Sequence, residues 1–452
     1  MKTYFRLQIL ACLFGWATAL TAQHPLLNSG PMVGAADMNR VKLWVQTTEP
    51  TMVQVEYWPI DTPSAVRATP SVVTNRQAAL TAHLEATDVL PGQTYAYKLY
   101  LDNEPVDLSW PLKFQTPPHW HYRTDPPEFT VAVGSCSFTN DPATDRPGDG
   151  YGENFGIYQQ IHALRPDLML WLGDNVYFRE TDWTSRLGMQ RRYTKTRRLP
   201  EMQPLLGSTH HFAIWDDHDF GPNNSDGAYL LKDTALQVFQ QFWANPTYGV
   251  PDAPGCATSF QWGDVDFFLL DNRYHRSSNT RVTGPDQLLG EAQFQWLISA
   301  LKFSRAPFKV VCIGGQVLNP LKQYETYANL VPQERDRLLK TLQEEGIDGV
   351  MFFTGDRHHT EISTYEPEGF YPLHDFTISP LTSHAYDASE EENPLRDDAT
   401  LIGTQNFALL KFTGPRTDRV MTITTYTHAG ESVWTRAIRA SDLSLPREAG
   451  EE

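Results

Sequence analysis

Apolar and polar positions alternate in the first quarter of the chain and then change period. Val53, Val55 and Tyr57 alternate with Gln54 and Glu56, and Tyr95, Tyr97 and Leu99 with Ala96 and Lys98. Strand-like runs also cover residues 41–45 and 79–89, with turn residues at short intervals between them. A period of two broken by frequent turns predicts short antiparallel strands folded as a small sandwich over residues 23–116. Residues 116–127 carry Pro117, Pro118, Pro126 and Pro127, the composition of a semi-rigid linker. Beyond it, over residues 128–440, short continuous apolar runs at 129–133, 168–172, 212–215, 265–270, 308–313, 350–354 and 376–378 alternate with helical patterns. Phe155, Tyr158, Ile161 and Leu164 form one such pattern; Leu236, Phe239, Phe242 and Trp243 a second; Phe294, Leu297 and Leu301 a third. Runs this short between helices predict buried parallel strands in an α/β domain.

Four polar clusters hang from the ends of these runs. They are Gly134-Ser135-Cys136, Gly173-Asp174-Asn175-Val176-Tyr177, Trp215-Asp216-Asp217-His218-Asp219 followed by Asn223-Asn224, and Gly355-Asp356-Arg357-His358-His359. Parallel strands of one sheet would deliver all four to a single edge, where ligands bind in open α/β sheets. A glycine before Asp174 permits a sharp exit from the strand, and Tyr177 lies within reach of the same centre. A phenol ionises near neutral pH only beside a strong cation. Paired with a Cys136 thiolate, that suits trivalent iron better than magnesium. Asp216, Asp217 and Asn224 are an oxygen-rich set suited to calcium or manganese. Asp356 and His358 can close either centre. Singly, such residues also serve as helix caps, core tyrosines and structural histidines, His359 among them. Adjacent aspartates at the end of an apolar strand are harder to explain without a cation, because buried like charges repel.

Composition refines the setting. The 452 residues are 40% hydrophobic and 20% charged, as in an ordinary globular protein. Lys2 and Arg6 precede an apolar stretch over residues 7–20, with small residues at 17–22, which reads residues 1–22 as a secretory signal peptide. No other stretch is long enough to cross a bilayer. The leader holds one Lys, one Arg and no acid, so its loss moves the formal charge from −17 to −19. An acidic chain does not bind nucleic acid through bulk charge, so an anionic substrate must be drawn by local cations or arginines. Removing the leader leaves Cys136, Cys256 and Cys312, an odd number, with Cys312 read as core and Cys136 as the exposed thiol. Arg186, Arg191, Arg192, Lys195, Arg197 and Arg198 run without an acid between them, either as a phosphate-attracting lid or as a helix face paired elsewhere. The acidic segment 441–452 reads as a disordered tail.

The order of these clusters, together with Asp271-x-Arg273-Tyr274-x-Arg276 and Leu289-Gly290-x-x-Gln293-x-x-Trp296-Leu297, resembles the PhoD-like alkaline phosphatase and phosphodiesterase family of the calcineurin-like metallophosphatase superfamily. Residues 90–95 also resemble the corner before a late strand in fibronectin type III-like domains. The resemblance implies a metallophosphoesterase core, a β-sandwich flanked by helices, behind a small fibronectin type III-like β-sandwich. It implies ferric iron on Cys136, Asp174, Tyr177 and Asp356, with Asp174 bridging to calcium, and Asp216 or Asp217, Asn224 and His358 on the calcium side; zinc or manganese can stand in. His218 would protonate the leaving group, and Arg273 and Arg276 would clamp phosphate oxygens or pair with Asp271 and other acids. Asn175, where many relatives carry tyrosine, implies a wider or more polar pocket mouth. The leader lacks the twin arginine of the family's founding members, which implies metal uptake outside the cytoplasm. The implied function is an exported enzyme, periplasmic, surface-bound or secreted, that hydrolyses phosphate monoesters or diesters through a metal-bound hydroxide at a binuclear site. The alternatives are a phosphodiesterase or phospholipase D-like enzyme with little monoesterase activity, and a polymer-binding surface protein with structural metals.

Overall fold

The computed structural model describes residues 24–445; the leader assigned to residues 1–22 and the end of the acidic tail lie outside the described residues. Two large sheets form the core of the molecule. The first has nine strands, in the order Ser432–Arg439, Val420–Thr427, Asn406–Thr413, Phe129–Gly134, Leu168–Leu172, His210–Ile214, Leu27–Ala36, Val41–Thr47 and Thr81–Ala86. The second has six: Thr258–Trp262, Val265–Leu269, Phe308–Ile313, Val350–Thr354, Leu373–Thr377 and Glu361–Tyr365. Every residue of Leu168–Leu172, His210–Ile214, Phe308–Ile313 and Val350–Thr354 is buried, as continuous apolar runs require when both faces are covered. The helices Ile157–Ala163, Arg186–Arg197, Glu291–Phe303 and Pro332–Glu344 occupy crossovers between parallel neighbours. Aromatic rings join the two sheets: Phe212 stacks on Phe260 with centroids 3.7 Å apart, and Phe308 meets Phe412 edge-on at 5.5 Å.

The single sheet edge expected to carry all four polar clusters is therefore two edges. Three clusters follow strands of the nine-stranded sheet, and the fourth follows Val350–Thr354 in the six-stranded one. Both sheets bring the carboxyl ends of these strands to the same end of the sandwich, so the clusters still meet.

The front segment is built around a third sheet, in which Met52–Pro59 pairs with Thr94–Leu101 over Tyr57, Tyr95, Tyr97 and Phe114. The Leu90 amide donates to the Tyr95 hydroxyl at 2.8 Å, the hydrogen bond of a tyrosine corner. The opposing layer of this segment is not separate. Leu27–Ala36 pairs parallel with His210–Ile214 through Val33 and His210, and antiparallel with Val41–Thr47, so the front strands extend the nine-stranded sheet. Met32, Ala35 and Trp44 belong to the core of the rear segment. Tyr97 donates its hydroxyl to the Gly207 carbonyl at 2.9 Å, and Trp44 its indole N–H to Gln241 at 2.8 Å. At the other terminus, residues expected in the disordered tail form a short 3-10 turn, Ala440–Leu443, because Leu443 is fully buried and its carbonyl accepts from Gly349.

Two expectations follow from this packing. A nick between residues 119 and 125 should leave two pieces that co-elute on gel filtration and melt in one transition; separate melting of a front fragment would contradict the shared sheet. Glu361, fully buried, is opposed by burial, but Gln316, Asn393 and the His359 imidazole outweigh it and hold the carboxyl down at about 2. Its contribution is complete above the ordinary glutamate value of 4.5 and is lost as pH falls from there toward 2. Glu361→Gln should cost on the order of 1–3 kcal/mol at pH 7 and flatten that acid limb in pH-dependent denaturant melts.

Candidate metal centre

Glycines and left-handed backbone bring the strand ends together. Gly173 has φ +97°, and a Cβ there would meet the Asp216 Cβ at 2.7 Å; one on Gly355 would meet the Ser135 Cβ at 2.8 Å. Beyond these glycines, Cys136, Asp174, Asn224, Asp356 and His358 all take positive φ, between 52° and 67°. Such backbone is strained for residues with a Cβ and concentrates at functional sites. The Cys136 amide donates to Gly173 and the Ser137 amide to the Asp174 carbonyl, locking the first two clusters together.

The side chains converge in three overlapping groups, each with its ligand atoms within 4.8 Å of one another: Cys136, Asp174 and His358; Asp174, Asp217 and His218; Asp216, Asp217 and Asp356. Asp174 joins the first two and Asp217 the last two. His358 thus stands with Cys136 and Asp356 with the aspartate pair, the reverse of the expected division of these two residues. Tyr177 adds its hydroxyl 3.0 Å from His358 Nε2. Asn224 lines the same cavity, and its amide donates to Asp217 Oδ2 at 2.6 Å.

Asp216 and Asp217 differ in what neutralises them. Asp216 stands just before the short helix Asp217–Phe220, and its Oδ1 accepts from Asn272 at 2.7 Å and from Arg273 Nε at 2.6 Å. Asp217 faces the cavity. One oxygen of each, Asp216 Oδ2 and Asp217 Oδ1, is buried without a hydrogen-bond donor. Burial and the neighbouring Asp217 and Cys136 push the Asp174 carboxyl well up; Asp356 rises through burial and the charges of Asp216 and Glu325. Burial pushes the Cys136 thiol up to about 12. Acceptors orphaned in this way, beside a thiol, a phenol and an imidazole, are a donor set that fits cations.

Cys136, expected as the exposed thiol, is fully buried; Ser379 donates to its sulfur at 3.1 Å. Arg273 and Arg276 do not reach the cavity as phosphate clamps. Arg273 is bound to Asp216, Glu325 and the Ser225 carbonyl, and Arg276 Nη2 lies 2.7 Å from Glu325. Buried carboxylates outcompete a solvent-borne anion for both. Asn175 is also away from the mouth: buried, it donates to Ile214 and Asp219. His218 packs on the Tyr177 ring at 4.3 Å, while Asp219 is taken by Asn175 and the Asp216 amide. His359 is structural, 3.4 Å from Glu361. The middle of the basic run is paired rather than free to act as a lid: Arg191 and Arg192 bind Asp182, Arg191 and Lys195 bind Asp141, and Arg192 binds Asp145, while Arg197 rests on the Trp243 ring. These pairs anchor a loop whose residues Asp145, Arg146 and Tyr151 line the cavity.

Sequence reasoning missed Arg179. It lines the cavity, rests on the Phe138 ring at 4.8 Å, and its Nε is buried without an acceptor. Its place two residues after Tyr177 was the available signal. The missed Glu325 gave none.

A two-sheet sandwich with strand-end loops meeting over clustered carboxylates is a metallophosphatase core. The PhoD-like phosphatase family matches residues 131–416, and the chain belongs to that family. Residues 24–120 match a domain of unknown function, DUF7800. Alkaline phosphatase D of Bacillus subtilis (strain 168) is 23% identical over 328 residues, covering 62% of this chain and 53% of that protein, so the chain spans about half the length of this curated relative. Among solved structures, PhoD superposes with a TM-score of 0.73 at 16% identity, covering 95% of this chain and 94% of its own. Purple acid phosphatase PPD1 from yellow lupin (Lupinus luteus) seeds gives 0.67 at 12% identity, over 93% and 77%. These two share the fold.

Removing one carboxylate should separate cation binding from folding. Asp174→Asn should lose most of the rise in Tm that added calcium and iron give the wild type, while melting at or above the wild type after chelation, because a repelled buried acid is gone. An undiminished metal-induced rise in the variant would remove Asp174 from the centre.

Proposed function

We propose that the protein is an exported, metal-dependent phosphoesterase acting on phosphate monoesters, diesters or both at a two-cation centre. The observation that carries this reading is the pair of orphaned carboxylate oxygens on Asp216 and Asp217 beside Cys136, Asp174, Tyr177 and His358, at the floor of a cavity of about 700 Å³ in a chain of this family. Cys136, Asp174, Tyr177 and His358 would hold one cation; Asp217, Asp356 and Asn224 the other, with Asp174 between them. The thiolate and phenolate favour ferric iron for the first, and the oxygen set favours calcium for the second, with zinc or manganese as substitutes. Cations so held would supply positive charge against phosphoryl oxygens and make water at the site more acidic.

The chain's own residues supply orientation and proton handling. Asp216 is held by Arg273 and Asn272, which fixes the aspartate pair and frees Asp217 to face the cavity. Arg179, unlike Arg273 and Arg276, lines the cavity, and its guanidinium, with an unused donor, can fork onto phosphate oxygens. His218 lies against Tyr177 in the cavity, where its ring can hydrogen-bond the leaving alcohol oxygen. The diesterase alternative draws support from the withdrawal of Arg273 and Arg276, since a dianionic monoester presents more charge to neutralise than a diester.

Purified protein should hydrolyse chromogenic monoester and bis-ester phosphates, lose turnover on chelation, and carry iron and calcium in the same sample; a fully metallated sample inert on both esters would refute the assignment. The ratio of the two rates decides between monoesterase and diesterase. A coloured wild type whose visible band is absent from Tyr177→Phe supports the ferric phenolate, and a colourless, fully active wild type excludes it. Arg179→Ala should lower kcat/KM about 10- to 100-fold. Arg276→Ala should act mainly on stability, through Glu325 Oε1, which loses its partner while Oε2 keeps Arg273.

A further inference from the structure

The cavity above the metal centre has a rim that the chemistry at its floor does not explain. Among the described residues, five tyrosine and phenylalanine rings are exposed: Tyr122, Tyr151, Phe303, Tyr324 and Tyr386. Three of them, Tyr151 at 45%, Tyr324 at 55% and Tyr386 at 39%, line this one cavity together with His384. Apolar faces left in water beside a polar floor are unfavourable in the free protein and favourable once a ligand covers them.

The rings are held in place. Tyr324 has φ +50°, a strained conformation for an aromatic residue. One side of its ring faces the Arg357 guanidinium at 4.6 Å, and Arg357 is itself fixed by Gln316 at 2.7 Å and Glu391 at 2.6 Å. The Tyr324 hydroxyl donates to that of Tyr386 at 3.2 Å, and the Tyr386 amide donates to the His358 carbonyl at 2.7 Å. On the other lip, Tyr151 packs on Phe138 at 5.4 Å and His384 at 5.7 Å; the next residue, Gly152, bridges to Ser383 and donates to Asn140 at 2.8 Å. The rim is thus a fixed set of aromatic faces one hydrogen bond from a residue of the metal centre.

We infer that this rim is a subsite for a flat ring carried by the alcohol half of the phosphate ester, as in a nucleotide; the inference rests on the phosphoesterase reading above and names the substrate class for it. Continuity with the metal centre points to the occupant: rim and floor line one cavity, so the alcohol half of an ester whose phosphate occupies the floor extends along the rim. An acyl chain would need an apolar channel, whereas here Asp145, Arg146, Arg179 and Glu325 are interspersed with the rings. Aromatic faces mixed with donors and acceptors match a heteroaromatic ring with polar edges.

Adenosine 5′-monophosphate and ribose 5-phosphate test this, because they share the reacting phosphate and the leaving alcohol and differ by the base. With metal-loaded full chain, kcat/KM should favour the nucleotide by about tenfold or more, the scale of one aromatic stack. The ratio should fall toward one in Tyr151→Leu/Tyr324→Asn, Asn being at ease with the backbone at 324, and persist in Tyr151→Phe/Tyr324→Phe, which keep the rings. A ratio near one in the wild type, or one unchanged in the Leu/Asn variant, would overturn the subsite. Calorimetric titration with the same two ligands decides it independently of turnover. Tighter binding of the nucleotide with neither compound hydrolysed upholds the subsite while refuting monoester hydrolysis, and inertness on the bis-ester as well refutes the hydrolytic reading; equal binding overturns the subsite itself. Should the Leu/Asn variant not fold, the wild-type ratio and the wild-type titration carry the decision.

Discussion

Mutual repulsion among buried acids is the constraint around which this molecule is built. Asp174, Asp216 and Asp217, all buried, and the half-buried Asp356 are packed with Cys136 and Tyr177, where burial weakens screening by water, and each added negative charge opposes the next. The protein supplies part of the counter-charge itself. Arg273, fully buried between Asp216 and Glu325, neutralises one side of the cluster and leaves the side toward the cavity in need of cations. Glu325 in turn prevents the two arginines from carrying surplus positive charge. The division between internal and external compensation explains why the arginines expected at the substrate lie behind the centre instead.

Bringing such a cluster together requires close approach of loops from two sheets. The strands are continuous, fully buried apolar runs, rigid enough to aim their ends, and the first residues past them adopt backbone that ordinary loops avoid. Positive φ at Cys136, Asp174, Asn224, Asp356 and His358 turns each side chain inward. The strain is borne by the large core beneath, where aromatic stacking between the sheets leaves little room for the ends to drift. Around this centre the loop carrying Asp145, Arg146 and Tyr151 is itself tied down by the basic helix Arg186–Arg197, so charge that reads in sequence as a substrate lure acts as a fastening.

Much of this was legible in the chain. Uninterrupted runs such as residues 168–172 and 350–354 could only be buried strands, and Gly-Asp and Asp-Asp-His-Asp at their ends announced convergent chemistry. What could not be read was three-dimensional pairing. Nothing local distinguishes Arg273 beside Glu325 from Arg179 beside the cavity, because the acid lies 52 positions away. Nor does local sequence separate Asp216 from Asp217: one turns back onto Arg273 and Asn272 and the other toward the cavity. Leu27–Ala36 was missed for a different reason. Gly30, Pro31 and Gly34 spell a turn, yet irregular pairing lets the strand sit in the middle of a sheet, and Gly34 packs so closely on Ala244 that a Cβ would come within 2.3 Å of it.

That inserted strand also sets the order of assembly. Its partners are Val41–Thr47, which follows almost at once, and His210–Ile214, whose His210 is made 176 positions after Gly34. Until then the early-made hairpin presents an unpaired edge with Met32 and Trp44 lacking their core. Closing so long a loop is entropically slow, and sheets of high contact order leave such edges open while they form. The strand that welds the two parts of the finished molecule is thus, during biogenesis, an open edge prone to aggregation that a folding helper would protect.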